Sequence, residues 1–271
     1  MTPIELLMLG AAGPLVGILA GFLGIGGGAI VVPLLLTLDY EPVRAIATSA
    51  LSIVITASSG SFQNWRMGYL NLKEVLGIGL PALLTAQMGA FLADKLPEFW
   101  LLIAFGLLLV SNIYLVGVRR RVTARKKLEE KAMEEGDELE HIPQKKNEVI
   151  SRIATGSAGG LLAGIFGVGG GLIVVPMQIL LLNKTIKKAI QTSLGVIVIT
   201  TISATAGHAY LGNVLWKQGL ILGFGGLLGA QISTRFLPKL PEKVVSFAFR
   251  SLLAFLSVYI FWKAWESYQS L

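Results

Sequence analysis

Apolar stretches long enough to cross a membrane recur along the chain and are separated by short polar turns. Uninterrupted stretches cover residues 44–65, 74–93, 98–118, 189–211, 216–236 and 244–262. A helix needs about 20 predominantly apolar residues to cross the hydrocarbon core of a bilayer. The pattern therefore predicts an all-α polytopic membrane protein.

Two further apolar stretches, residues 4–38 and 151–182, are interrupted by glycines. In the first, residues 4–23 would form about 30 Å of helix and residues 29–38 only about 15 Å, half of a bilayer. Three consecutive glycines do not strengthen a helix, because each costs about 1 kcal/mol relative to alanine. We predict a broken or re-entrant helix at both places.

The interrupted stretches belong to an internal repeat. Residues 17–33 read GILAGFLGIGGGAIVVP and residues 160–176 read GLLAGIFGVGGGLIVVP, with 12 of 17 positions identical. After one inserted residue the match continues through most of the chain. The prediction is two homologous halves, residues 1–118 and 150–271, each a glycine-broken helix followed by three transmembrane helices.

The segment between the halves, residues 119–149, differs in kind from the rest. It carries 9 Lys/Arg and 8 Asp/Glu in 31 residues, which is typical of an aqueous linker. A simple tether and a regulatory element both fit this composition. Its basic residues place it in the cytoplasm by the positive-inside rule.

Loop charge also predicts how the halves are oriented. Outside the linker, 12 Lys/Arg lie in loops and the tail; an inverted arrangement puts 8 of them inside and 4 outside, and a parallel arrangement reverses these numbers. The positive-inside rule therefore favours inverted repeats, with both termini outside the cytoplasm.

Composition narrows the class further. The chain is 54% hydrophobic and 14% charged, with mean hydropathy +0.70. Its net charge of +7 lies mainly in loops and linker and does not indicate nucleic-acid binding. The chain has no Cys, and no Asp or Glu lies in the middle of a span. Without a catalytic set or a metal cluster, an enzyme is a poor interpretation, and we expect no cofactor and no metal.

The glycine runs are the first candidate for a substrate site. Broken helices at matched positions of two halves are the best sequence indicator of a transporter's binding site. The backbone N–H groups that open the following half-helix would favour an anion. Close helix packing is the alternative, but it explains three consecutive glycines poorly. The candidate residues are Gly26, Gly27, Gly28, Gly169, Gly170 and Gly171.

Polar side chains at matched positions complete the predicted site. They are the hydroxyl pairs Thr48–Ser49 and Thr192–Ser193 and the mid-span amides Gln87 and Gln231. An intramembrane amide either ties helices together or faces a polar cavity. We expect these side chains to surround the two glycine breaks where the breaks meet near the midplane.

Two further residues are candidates for gating or proton-linked roles. His208 lies near the end of a span, opposite Asn64 in the repeat, and a structural role is the alternative. Arg250 is the only basic residue deep in a span and has no twin. It would meet the substrate, an anionic lipid or helix-end carbonyls, because intramembrane charges usually face a partner.

The duplicated motifs GFLGIGGGAIVVP and GIFGVGGGLIVVP resemble those of the sulfite exporter TauE/SafE family. The resemblance implies a multi-pass protein of the bacterial inner membrane that exports sulfite, sulfoacetate or related sulfur oxyanions and organosulfonates. Its expected partners are a small anionic substrate and membrane lipid, with a homodimer left open. The alternatives are import or another small anion on the same fold, and a non-transporting membrane scaffold.

Overall fold

The computed structural model describes residues 3–24, 26–114, 148–184, 186–237 and 241–269, and within them the chain is helical. Five helices are long and apolar enough to cross a membrane, namely α1, α3, α4, α6 and α8, whereas α2, α5 and α7 are shorter apolar helices. The chain is a multi-pass membrane protein. The helices are α1 (Pro3–Leu23), α2 (Gly28–Thr37), α3 (Pro42–Arg66), α4 (Leu72–Lys95), α5 (Glu98–Tyr114), α6 (Glu148–Phe166), α7 (Gly171–Leu181), α8 (Ile186–Tyr210), α9 (Trp216–Phe236) and α10 (Glu242–Gln269).

These bounds match the predicted spans to within a few residues, with one exception at the C-terminus. Helix α10 continues to Gln269, seven residues past the predicted end. Its last turns carry an i,i+3 ion pair between Lys263 and Glu266, at 3.1 Å, and a ring contact between Trp265 and Tyr268. Such pairs stabilise helix that apolar periodicity alone does not reveal. The predicted linker lies outside the described residues except at its end, where α6 begins.

Both interrupted stretches are broken helices. Between α1 and α2 the backbone takes positive φ at Gly24, Gly26 and Gly27, with values of 65°, 77° and 89°. Between α6 and α7 the same happens at Gly167 and at the pair 169–170, with φ between 63° and 75°. Glycine adopts this left-handed region without the cost that a Cβ imposes. The glycines therefore end one helix and start the next.

Helices α3 and α8 end with the same cap. In α3 the N–H of Tyr69 donates to the carbonyl of Asn64, with Gly68 at φ 74°. In α8 the N–H of Asn213 donates to the carbonyl of His208, and Gly212 has φ 76°. This left-handed glycine closure satisfies carbonyls at the helix end. The repeat therefore extends to the backbone of the caps.

The two halves are interleaved. Helix α1 packs mainly on α9 and α6 mainly on α4, so the first helix of each half lies against the other half. Helix α3 also packs on α9, α8 packs on α4, and α3 and α8 pack on each other. Each helix contact of one half therefore has an equivalent in the other half: α1 with α9 corresponds to α6 with α4, and α3 with α9 corresponds to α8 with α4. An approximate two-fold axis produces this pattern.

Contacts along the helices give their relative directions. Gly13, Gly17 and Gly21 of α1 face Gly225, Gly226 and Ser233 of α9 in the same order, so these helices run parallel. Helices α6 and α4 run parallel by equivalent contacts. Near the end of α3, however, Gly60 faces Leu194 near the start of α8. Helices α3 and α8, which are equivalent in the repeat, therefore run in opposite directions.

Many large apolar side chains point outward, as a membrane-embedded surface requires. Trp65 and Trp216, at the end of α3 and the start of α9, are 58% and 55% exposed. Trp262 is equally exposed but lies seven residues before the end of α10. The first two positions fit the aromatic belts found at membrane interfaces.

Candidate functional site: the crossing of two broken helices

The two glycine breaks lie directly against each other. A Cβ on Gly28 would lie 2.3 Å from the carbonyl oxygen of Gly167 and 2.6 Å from Cα of Val168. No side chain fits at such distances. We call this contact the glycine crossing, and it consists of Gly24, Gly26, Gly27, Gly28, Gly167, Gly169, Gly170 and Gly171.

Each glycine of a run faces a different neighbour. A Cβ on Gly26 would lie 2.7 Å from Ile53 and 3.1 Å from Ile197, and Gly169 faces the same two isoleucines. Gly27 instead faces Val16 of α1, at 2.6 Å, and its counterpart in the second half faces α6. Gly28 faces the opposite break. Packing therefore accounts for three consecutive glycines in this conformation, which the sequence pattern did not reveal.

Two serine hydroxyls bridge the crossing. The Ser49 hydroxyl donates to the carbonyl of Gly167, and the Ser193 hydroxyl donates to the carbonyl of Gly24, each at 2.8 Å. Both serines are fully buried. Each half thus supplies one hydrogen bond to the break of the other half. These two predicted site residues lie at the crossing, and their hydroxyls are held by backbone carbonyls.

The neighbouring threonines have different surroundings. The hydroxyl of Thr48 accepts a hydrogen bond from the N–H of Leu215, the residue that caps the start of α9, at 3.1 Å. It therefore helps to hold α9 against α3. Thr192 is buried in α8, with 3% of its surface exposed.

The two glutamines tie helices together away from the crossing. The amide of Gln87 in α4 donates to the carbonyl of Ser203 in α8, at 3.3 Å, and that of Gln231 in α9 donates to Ser59 in α3, at 3.2 Å. These two contacts are equivalent in the repeat. Neither hydrogen bond involves a glycine of the crossing.

The remaining two candidates lie in different environments. His208 is fully buried, and its Nε2 lies 2.9 Å from the carbonyl oxygen of Gly164, near the end of α6 and three residues before the second break. The side chain of Arg250 is exposed on the surface of α10. Arg250 is thus not among the residues brought to the crossing.

Two helix N-termini without side-chain caps meet at the crossing. Gly27 and Gly170 are the N-caps of α2 and α7, and neither helix start is capped by a side chain. A helix N-terminus carries roughly half a positive charge on its first N–H groups. Two such termini lie beside one another here. Within the described ranges, no group of three His, Asp or Glu could hold a metal ion.

Matched polar contacts follow the two half-helices α2 and α7. Tyr40, after α2, donates to the carboxylate of Glu5 and accepts from Gln218 at 2.9 Å. Burial, followed by the Glu5 carboxylate, raises the pKa of Tyr40 above its usual value. At the equivalent place in the repeat, Lys184 after α7 bonds Glu74 of α4. We call these the tyrosine tie and the lysine tie.

Sequence reasoning did not select four buried polar residues of α3 and α8 as site candidates, and one of them contacts the crossing. The hydroxyl of Thr200 donates to the carbonyl of Gly169, at 3.0 Å. Ser61, Asn64 and Thr205 are buried and each has a side-chain atom without a hydrogen-bond partner. The signal was available, because Ser61 and Thr205 are both polar at matched positions of the repeat, as are Asn64 and His208.

Comparison with known proteins gives one consistent result. A family model described as "Sulfite exporter TauE/SafE" matches residues 9–260. A probable membrane transporter protein of Methanocaldococcus jannaschii is 27% identical over 84% of this chain and 86% of its own length. One from Bacillus subtilis is 28% identical, over 86% and 91%, and one from Xylella fastidiosa is 27% identical, over 98% and 99%. No solved structure gives a significant match.

Proposed function

Because the chain belongs to the sulfite exporter TauE/SafE family, we propose that it exports a small sulfur oxyanion or organosulfonate across the bacterial inner membrane. Sulfite and sulfoacetate are the first candidates. Its curated relatives carry the name of probable membrane transporters. One observation carries the proposal, which is the convergence of two half-helix N-termini at the glycine crossing.

We propose inverted repeats as the framework of this transport. The opposite directions of α3 and α8, which are equivalent in the repeat, support inversion. The loop charges support it independently, because inversion places more basic residues on the side of the linker. In this arrangement the crossing lies near the membrane midplane, where the substrate sites of inverted-repeat transporters are found.

The substrate would bind where the two breaks now touch. Neighbouring atoms fill the space around the crossing glycines in this conformation. Passage therefore requires the breaks to separate, which releases the bonds of Ser49 and Ser193 from the opposite carbonyls. The freed hydroxyls and the N–H groups that open α2 and α7 would then be donors for an oxyanion.

The membrane potential is sufficient to drive export. It is negative inside, and moving one charge across it is worth about 2.3 kcal/mol per 100 mV. A divalent anion that leaves the cell gains about twice that amount. Since about 1.4 kcal/mol corresponds to a tenfold ratio, export without a coupling ion would keep the inside concentration more than tenfold below the outside one.

The test is flux in proteoliposomes loaded with radiolabelled sulfite or sulfoacetate. With the potential set by valinomycin and potassium, we expect electrogenic efflux that follows the potential and persists without a pH or sodium gradient. Protein-free liposomes are the control. Flux that ignores the potential and follows a proton gradient would contradict uniport, and His208 would become the first residue to replace.

The same preparation separates the alternatives. A scaffold moves none of the labelled anions. An importer takes up anion against the negative-inside potential only with a coupling gradient, because the field opposes entry of an anion. A carrier of another anion also leaves both labels inside, but unlike a scaffold it moves other small anions that are supplied in their place. Each alternative therefore gives a different pattern of flux.

A further inference from the structure

Four buried polar atoms without partners form two matched pairs. Ser61 and Asn64 lie in α3, and Thr205 and His208 lie at the equivalent positions of α8. All four residues are at least nine-tenths buried, with exposed fractions of 9%, 1%, 8% and 0%. The atoms are Ser61 Oγ, Asn64 Nδ2, Thr205 Oγ1 and His208 Nδ1. Buried polar atoms nearly always have a partner, so this duplication calls for a ligand.

Each pair lies on the helix face that contacts the glycine crossing. In α3 that face meets the crossing at Ile53, and in α8 it does so at Ile197. The polar pairs follow at eight and eleven residues further along each helix, which keeps them on the same face. Eleven residues correspond to about 16 Å of helix. Because α3 and α8 run in opposite directions, one pair lies on each side of the crossing.

We propose that these pairs are two binding stations for the transported anion, one on each side of the crossing. The inner station is Ser61 with Asn64, and the outer station is Thr205 with His208. The inference rests on the proposed function and on its inverted arrangement, in which α3 ends in the cytoplasm. Hydroxyl and amide N–H groups are the neutral donors that an oxyanion requires.

The two stations differ in when they can donate. The carbonyl of Gly164 can only accept, so the 2.9 Å contact assigns the ring hydrogen to His208 Nε2. In the neutral ring, Nδ1 then carries a lone pair that repels an oxyanion. Nδ1 donates a hydrogen bond only when the ring is protonated. Asn64 Nδ2 donates at every pH. The outer station therefore holds an anion tightly only together with a proton.

The charged groups around His208 are few and lie at helix ends. At the end of α4 lies Asp94, whose carboxylate accepts a hydrogen bond from Asn213 at 2.6 Å. From the start of α3, Arg44 is paired with Glu41 at 3.0 Å. In the described part of α6 the charged residues lie at the opposite end of the helix, and α7 has none. Protonation of the ring therefore remains the main change in charge at this station.

Because only the outer station contains a histidine, export responds to acid on the outside of the membrane. At neutral external pH the outer station lacks its second donor and releases the anion. Acid outside protonates His208, strengthens binding there and slows release. Hydrogen bonds to charged groups contribute enough to change affinity about tenfold. We expect efflux to fall by about that factor once the external pH is low enough to protonate His208.

The experiment uses right-side-out and inside-out membrane vesicles with labelled sulfoacetate as the probe. Sulfoacetate keeps its charge above about pH 6, because carboxyl groups titrate near pH 4. The variants exchange the stations: H208N makes the outer donor permanent, and N64H makes the inner donor depend on pH. Ser257→Ala is the control, since this buried hydroxyl already bonds its own helix.

We expect H208N to slow efflux at neutral external pH to about the level that the wild type shows in acid, and to abolish the response to external pH. N64H should raise the half-saturating concentration at the cytoplasmic face about tenfold at neutral pH, with recovery in acid. Ser257→Ala should match the wild type. Monodispersity of each solubilised protein on size exclusion verifies folding, and the exchanged residues already occur at the equivalent sites.

The outcomes distinguish the inference from the proposed function. If the wild type transports sulfoacetate but H208N and N64H keep its pH profile and half-saturating concentrations at both faces, the stations are refuted and the transport function stands. If the wild type moves neither sulfoacetate nor sulfite under a potential, the proposed function fails and the inference fails with it.

Discussion

Replacing Ser49 by alanine removes one of the two hydrogen bonds that hold the glycine breaks together. The donor and the carbonyl of Gly167 are buried and 2.8 Å apart. A hydrogen bond of this kind contributes about 1 kcal/mol net, and the carbonyl left without it adds to the loss. We therefore expect Ser49→Ala to lower the free energy of unfolding by about 1–2 kcal/mol.

The equivalent change in the other half should cost less. The single hydrogen of the Ser193 hydroxyl has two acceptors, the carbonyl of Gly24 at 2.8 Å and that of Ile190 in its own helix at 2.9 Å. Because the second bond competes with the first, Ser193→Ala loses less than one full interhelical bond. The matched control is Ser52→Ala, a buried serine that bonds only within α3, and we expect a cost below about 0.5 kcal/mol.

Reversible unfolding in mixed SDS and nonionic micelles measures these costs, and vesicle efflux measures their effect on transport. If the serines chiefly hold the breaks closed, weakening them by about 1 kcal/mol makes the opened state about fivefold more accessible, and efflux does not fall. If they also bind substrate once released, the half-saturating concentration rises. An unfolding cost for Ser52→Ala equal to that of Ser49→Ala would refute the reasoning, since no bond between halves would then be the cause.

Three further predictions concern topology, packing and the end ties. Single cysteines added to this cysteine-free chain should react from outside at residues 2 and 271 and from the cytoplasm at residue 130, and a cytoplasmic Leu271 would contradict inverted repeats. Gly17→Ala and Gly160→Ala should each lower the free energy of unfolding by about 1–3 kcal/mol, because the added Cβ would lie 2.0 Å and 2.2 Å from facing carbonyl oxygens. Gly10→Ala is the control, since the space around Gly10 is open, and it should not destabilise the protein in the same assay. A double-mutant cycle of Lys184→Met and Glu74→Gln should give about 1 kcal/mol of coupling energy for this partly buried pair. The exposed pair Arg44–Glu41 is the control and should give less than about 0.5 kcal/mol, so equal coupling energies would argue against the lysine tie.

The broken helices were predictable because their cause is local. Consecutive glycines destabilise a helix at any position in the chain. Their occurrence at equivalent places in residues 17–33 and 160–176 indicates that the break is part of the structure of each half. The bounds of the spans followed from apolar length in the same way. Within the residues that the structure describes, the end of α10 was misplaced, because ion pairs and ring contacts there replace apolar periodicity.

The neighbours of each side chain were not predictable from the same pattern. Nothing in the repeat says that α1 packs on α9, so the contact of Gly17 with Gly226 and the tie of Gln231 to Ser59 required the tertiary arrangement. For the same reason Thr48, adjacent to Ser49, bonds the start of α9 and not the crossing. Adjacent side chains of a helix point in directions about 100° apart, so two neighbouring hydroxyls such as those of Thr48 and Ser49 contact different helices.

The reciprocity of the contacts bears on which state this conformation represents. Inward-open and outward-open forms of an inverted-repeat transporter differ by exchanging the conformations of the two halves, so neither has equal contacts on both sides. Here Ser49 and Ser193 make hydrogen bonds of the same length across the crossing, and a tie follows each of the half-helices α2 and α7. Such equality fits a state closed at both ends. Opening on one side must then break the contacts of that side. The two sides differ chemically, because the lysine tie joins two opposite charges, whereas the tyrosine tie joins a hydroxyl to a carboxylate and an amide. Salt screens the attraction between two opposite charges more than a hydrogen bond that has only one charged partner, so higher ionic strength should shift the balance of open forms toward the side of Lys184.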